Sequence, residues 1–243
     1  MSAFTAKRKS LEALRGWMGL YLYDMFGPVP VASDEVLDNP QEFNYLSRAT
    51  DEEYDNMMEN DLRDAIDVLP EKASARGRMT KGAARMILLK YYMIRGKYDK
   101  AETLARELMA MEGSVYGLQS DYNHVFSKEG VGNNEIILQV GCASSSSWVA
   151  NYMTAEVLPA DMPWTEKSEG WGGYVMPWAF YNTFEAGDAR TKNIVTQYTN
   201  KSGVLMTKDN STQLSYGPLP LKYGKDDTMS GSYSGIDLII YRY

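Results

Sequence analysis

Residues 78–109 read RMTKGAARMILLKYYMIRGKYDKAETLARELM, and the spacing of their apolar side chains decides the fold. Ala84, Ile87, Leu88, Tyr91 and Ile94 recur at steps of three and four, the period of one face of an α-helix, so a helix is expected from about Thr80 to Arg95. Gly96 follows, a residue suited to the left-handed conformation that closes a helix. A second helix is expected from about Tyr98 to Met111, with Tyr98, Ala101, Leu104, Ala105, Leu108 and Met111 on one stripe. Two amphipathic helices joined by so short a turn must pack antiparallel, each covering the apolar stripe of the other.

Toward the N-terminus the helical period continues. Thr50 opens a helix with a capping box: its hydroxyl can accept from the Glu53 N–H while the Glu53 carboxylate reaches back to the Thr50 N–H. Tyr54, Met57, Met58, Leu62, Ala65, Ile66 and Leu69 form the stripe of this helix, and Pro70 ends it. Further back, Leu11, Leu14, Trp17, Leu20, Tyr21 and Met25 place a helix over about Lys9 to Met25, with Trp17 and Tyr21 expected in the core. Gly27, Pro28 and Pro30 stop it, and a polar loop runs on to Ala49.

Beyond Gly113 the character changes. EIILQVG (Glu135–Gly141) is short, partly β-branched and bounded by Gly132-Asn133-Asn134 and Gly141, which reads as a strand. From Cys142 to Gly173 the chain is rich in Ser, Gly, Pro and Trp and shows no period; a stretch of that kind inside a domain is often functional, and its Trp content argues against simple disorder. A short helix is expected from Pro177 to Phe184. The division is therefore a helical part over about 5–112 and a loop-rich part with short strands over about 113–243, within one mainly α domain.

Composition removes several functions. The net charge of -7 opposes non-specific nucleic-acid binding, and no basic run suggests attraction to an anionic membrane. No apolar run approaches the ~18 residues of a membrane-spanning helix, and MSAFTAKRKS lacks the apolar core of a signal peptide. With one Cys and one His, the chain has neither a disulfide of its own nor a thiolate metal cluster, and a Ser-His or Cys-His pair would have to use His124. No phosphate-binding loop, dinucleotide fingerprint or nucleophile elbow occurs, and no cofactor is expected. The 18 Tyr against 6 Phe, with 5 Trp, favour half-wet aromatic surfaces, which suit the alternating C–H faces and hydroxyls of sugars.

Gly96, Tyr98 and Ala101 are spaced like the centre of a tetratricopeptide (TPR) repeat, with Leu89 and Leu108 departing from its usual small residues. In order along the chain, RGWMGLYLYDMFGPVPVAS, the acidic helix ending in AIDVLP, residues 78–109, YGLQSDYNHVFS, NNEIILQV, PWAFYNTFEAGDAR, PLPLKYG and IDLIIYRY together resemble the SusD/RagB family of nutrient-binding outer-membrane lipoproteins. That resemblance implies a SusD-like fold, TPR-like hairpins supporting a loop-rich face with little β-sheet. It implies non-catalytic capture of an oligosaccharide or polysaccharide at the cell surface, for delivery to a SusC-type TonB-dependent transporter. Family members are roughly twice this length and begin with a lipid-anchored Cys, so the chain reads as a fragment whose membrane attachment would run through an anchor outside it. The rival ligand is a peptide; the rival function is a TPR-like scaffold for protein partners.

For glycan contact the irregular stretch offers Trp148, Tyr152 and Trp164 as ring platforms, with Asn151 and Asp161 for hydroxyls and Trp171 and Tyr174 as further candidates. Trp171, between Gly170 and Gly172, leans toward a core plug. Asp188 and Arg190 read as a turn salt bridge, Glu166 and Glu169 as loop carboxylates, and Asp209, Asn210, Asp226 and Asp227 as solvated turn residues without calcium-loop spacing.

Overall fold

The structure, a computed structural model, describes residues 3–39, 41–42 and 45–243. It forms two compact units, one running up to Gly117 and including Tyr243, the other Leu118–Arg242.

The first unit is helical: α1 (Ala3–Phe26), α2 (Asp34–Asp38), α3 (Asp51–Val68), α4 (Lys81–Ile94) and α5 (Tyr98–Met109). The polar loop expected up to Ala49 carries α2, capped by Ser33; Pro40, Phe43 and Asn44 of that loop lie outside the described residues. The capping box of α3 is present, with Thr50 Oγ1 accepting from the Glu53 N–H at 3.2 Å and Glu53 Oε2 accepting from the Thr50 N–H at 2.7 Å. Tyr54, Met58, Leu62, Ala65 and Ile66 are buried as the stripe demands. Thr80 caps α4, Gly96 turns the chain with φ 67°, and Ala101, Leu104 and Leu108 of α5 pack under Ala83, Ala84, Ile87 and Leu88. Ile94 and Tyr98 were expected inward and are exposed, because they flank the turn, where the two helices part.

The first helix also differs from its expected orientation. Its buried face is Ala13, Gly16, Gly19 and Leu20, while Leu11, Leu14, Tyr21 and Met25 are exposed and Trp17 is half-buried. A Cβ at Gly16 would lie 2.8 Å from the Leu62 side chain, and one at Gly19 2.9 Å from Met58 Sδ. The small residues thus let α1 lie close on α3, and close approach outweighs the larger apolar area of the other face. Asp55 ties these helices together. Its carboxylate accepts from Tyr91 Oη (2.8 Å) and from both Nε and Nη2 of Arg95 (3.0 and 3.1 Å), and pairs with Lys97 Nζ at 2.8 Å. Arg95 Nη1 also donates to Tyr23 Oη of α1 at 2.7 Å.

The second unit contains α6 (Tyr122–Val125), β1 (Ile136–Val140), α7 (Met153–Val157), α8 (Trp178–Tyr181), β2 (Ile194–Val195), β3 (Tyr198–Thr199), β4 (Leu205–Met206), α9 (Thr212–Tyr216), β5 (Leu219–Pro220) and β6 (Leu238–Arg242). The strands pair antiparallel as β1 with β6, β2 with β5 and β3 with β4. One apolar cluster gathers Val157, Leu158, Met162, Tyr198, Leu214, Leu219 and Leu221, and a second gathers Val125, Phe126, Tyr223 and Ile236. The fold is mainly α, with little sheet. Asp226, expected in solvent, is 1% exposed: its carboxylate accepts from the N–H and hydroxyl of Thr228, the Ser234 hydroxyl and the Gly235 N–H, closing a loop around itself. Those four donors replace the water it loses.

Candidate functional site

The aperiodic stretch after β1 folds around α7, a helix of five residues with Tyr152 at its N-cap. A helix so short leaves its last carbonyls without partners inside it. The segment Gly170–Tyr174 supplies them. The Trp171 N–H donates to Ala155 O (2.7 Å), the Gly172 N–H to Leu158 O (3.0 Å), and the N–H groups of Gly173 and Tyr174 to Glu156 O (2.7 and 3.1 Å). Gly170 is required by proximity, because a Cβ there would land on the Leu158 carbonyl oxygen. Gly172 is required by conformation as well: its φ is 64°, and a Cβ would lie 2.7 Å from Gln213 Nε2.

This strap holds the Trp171 ring against the Tyr152 ring, centroids 5.4 Å apart and planes 28° from parallel. Tyr233 meets Tyr152 edge-on, at 5.6 Å and 85°. The Tyr152 hydroxyl donates to Ser147 O at 2.7 Å, fixing the ring from its far end. Trp171 remains 57% exposed, so it is no core plug: the strap passes over α7 and turns the indole outward. Tyr174, three residues on, is exposed too. Trp148 stands on a 3-10 turn (Ser147–Val149) next to the Ser147 carbonyl that Tyr152 uses, and is 94% exposed.

Three other candidates are placed elsewhere. Trp164 packs half-buried against the cluster of Leu158 and Leu214, with Lys225 Nζ 5.3 Å from its ring centre, so the interior uses the face a sugar would need. Asn151 is 3% exposed; its Nδ2 donates to Ile236 O and its Oδ1 accepts from the Met153 N–H, which commits the amide to backbone. Asp161 accepts from Tyr198 Oη at 2.8 Å and Asn200 Nδ2 at 3.3 Å, and secures β3. Sequence reasoning passed over Tyr233. Its setting in Gly231-Ser-Tyr-Ser-Gly235, an aromatic between small residues, repeats the pattern around Trp171 and was the available signal. A polar cavity of about 450 Å³ lined by Thr183–Asp188 and Arg190 lies apart from these rings, and Asp188 and Arg190 there are paired with each other.

The order and shape of these pieces match known proteins. No family model matches the chain. A curated "SusD-like protein" of Bacteroides ovatus is 29% identical over 191 residues, covering 73% of this chain and 33% of that protein. "SusD-like protein P2" of Formosa agariphila is 25% identical over 195 residues, 78% of this chain and 38% of its own length. A solved structure described as a laminarin-binding SusD-like protein superposes with a TM-score of 0.74 at 23% identity, over 96% of this chain and 56% of that one.

In sequence and in fold the chain is similar to SusD-like proteins.

It spans about a third of the length of these curated relatives. Within the SusD-like fold, α7 and its strap are the part that presents stacked, outward-facing aromatics on fixed backbone.

Proposed function

We propose that this SusD-like chain captures oligosaccharide without transforming it, and that the Tyr152–Trp171 pair is its platform. The observation that carries the reading is an indole held open to solvent by four backbone hydrogen bonds and backed by a second ring. Large aromatic faces kept exposed are uncommon without a partner, and a pyranose ring offers the matching C–H face. Preorganisation matters because a ring already fixed loses little entropy on binding. Trp148 and Tyr174 extend the platform, while Trp164, Asn151 and Asp161 support the loops beneath it. The name of the laminarin-binding neighbour agrees in ligand class.

In the same reading, residues 1–243 form part of one SusD-like domain that acts at the outer-membrane surface. It is tethered by a lipid anchor and hands its ligand to a SusC-type TonB-dependent transporter. No helix of the described residues is long and apolar enough to cross a membrane.

A glycan array followed by calorimetric titration tests the site. Trp171→Ala is expected to weaken binding by about 1–3 kcal/mol, roughly tenfold to a hundredfold. Its melting temperature should move little, because the ring is mostly exposed. Undiminished affinity in Trp171→Ala would remove the platform.

A further inference from the structure

Two carboxylates, Glu156 and Glu169, lie close to the ring pair along the chain, and neither has an ion-pair or hydrogen-bond partner among the described residues. Glu156 lies one turn along α7 from Tyr152, its N–H bonded to the Tyr152 carbonyl at 2.9 Å, so both side chains leave the same face of the helix. Glu169 lies two residues before Trp171. Its N–H bonds to Gly231 O at 2.9 Å, and its Oε2 is 3.4 Å from where a Cβ on Gly231 would sit, two residues from Tyr233. One carboxylate thus leaves the helix face that carries Tyr152, and the other lies at the Gly231 turn that carries Tyr233. Among the described residues neither is ion-paired, nor does either side chain accept a hydrogen bond. The nearby cations are engaged or too few. Lys225 sits over Trp164, Lys128 donates to Gly235 O beside Asp226, and Lys167 offsets one negative charge at most.

Taking the proposed platform as given, we infer that Glu156 and Glu169 act as a charge filter, so that the site takes neutral glycans and turns away uronates and sulfated sugars. Stacking alone does not discriminate, since a uronate presents the same C–H face as its neutral parent. The discrimination comes from bringing the ligand's own negative charge beside two uncompensated carboxylates. Like charges set against each other across a binding surface oppose association, and the opposition weakens as salt shortens the screening length from about 10 Å at 0.1 M to about 3 Å at 1 M.

Calorimetric titration of the intact protein tests this with matched probes: laminarihexaose, cellohexaose and maltohexaose, each beside its C6-oxidised hexauronate. In the pair whose neutral member binds, the uronate is expected to bind at least about tenfold more weakly at low salt, with the gap narrowing in high salt. Combining Glu156→Gln with Glu169→Gln should close most of that gap, the ratio within the pair being the readout. The filter is overturned if the uronate binds as tightly as its neutral parent, or if the double variant leaves the ratio unchanged; the platform survives both results provided that Trp171→Ala still loses affinity. Binding of no probe, neutral or charged, overturns platform and filter together.

Discussion

Gly170 is the residue on which the exposed indole depends, since the strap can lie on Leu158 only where there is no side chain. The obstacle is a backbone carbonyl, which has no rotamer through which to move aside. Gly170→Ala should therefore lower stability by about 1–3 kcal/mol. In a thermal melt this appears as a lower midpoint, and an unchanged midpoint would show that the strap relaxes freely. Residues such as this mark where sequence reading stops. Trp164 and Trp171 look alike in the sequence, both in an aperiodic run, yet Trp164 lies on a core cluster and Trp171 faces water. What separates them is where α7 and Gln213 sit, which is tertiary information. Asn151 and Asp226 were misjudged for a related reason: a polar side chain in a loop reads as solvated, although loops of this kind close around buried acceptors and donors.

At the level of elements, legibility follows the range of the interactions. The capping box of α3 and the α4–α5 hairpin were readable because their determinants lie within a few residues of each other. The orientation of α1 was not. Its apolar residues and its small residues lie on different faces, and only the approach of Leu62 and Met58 selects the small one. The contact of α3 with α4 makes a sharper prediction through Asp55. Burial alone would raise the pKa of this carboxyl, but hydrogen bonds from Arg95, Lys97 and Tyr91 outweigh it and bring the value down from 3.8 to about 2. A carboxyl with a depressed folded pKa adds stability that is complete above its unfolded pKa and is lost as pH falls through the folded one. With the Asp55 side chain 13% exposed, that contribution is about 2 kcal/mol, disappearing between about pH 4 and pH 2. Denaturant melts of the wild type should show this loss on acidification. Asp55→Asn should be less stable at neutral pH and lose correspondingly less stability across the same window; parallel acid profiles would refute the assignment.

For the molecule as a whole, the question is whether a surface that holds sugar also cuts it. Glycoside hydrolysis needs two carboxyl groups about 5–9.5 Å apart on a rigid support, one of them kept protonated by a raised pKa. The carboxyls whose pKa is displaced here, Glu53, Asp55, Glu59, Asp188 and Asp226, are all displaced downward, opposite to the need of a general acid. Glu166 and Glu169, which precede Trp171 in the loop, are both exposed and belong to no helix or strand. The backbone bonds that fix Trp171 preorganise a flat face, which favours binding a sugar in its ground-state shape rather than distorting it toward a transition state. We therefore expect binding without turnover. The protein should be incubated with the glycan that the array selects, at a concentration where titration shows most of it bound, and reducing ends followed over hours. Release should not exceed that of a protein-free control. Saturable release that disappears in Glu166→Gln or Glu169→Gln would make the chain an enzyme and would recast the aromatic platform as the substrate-holding part of an active site.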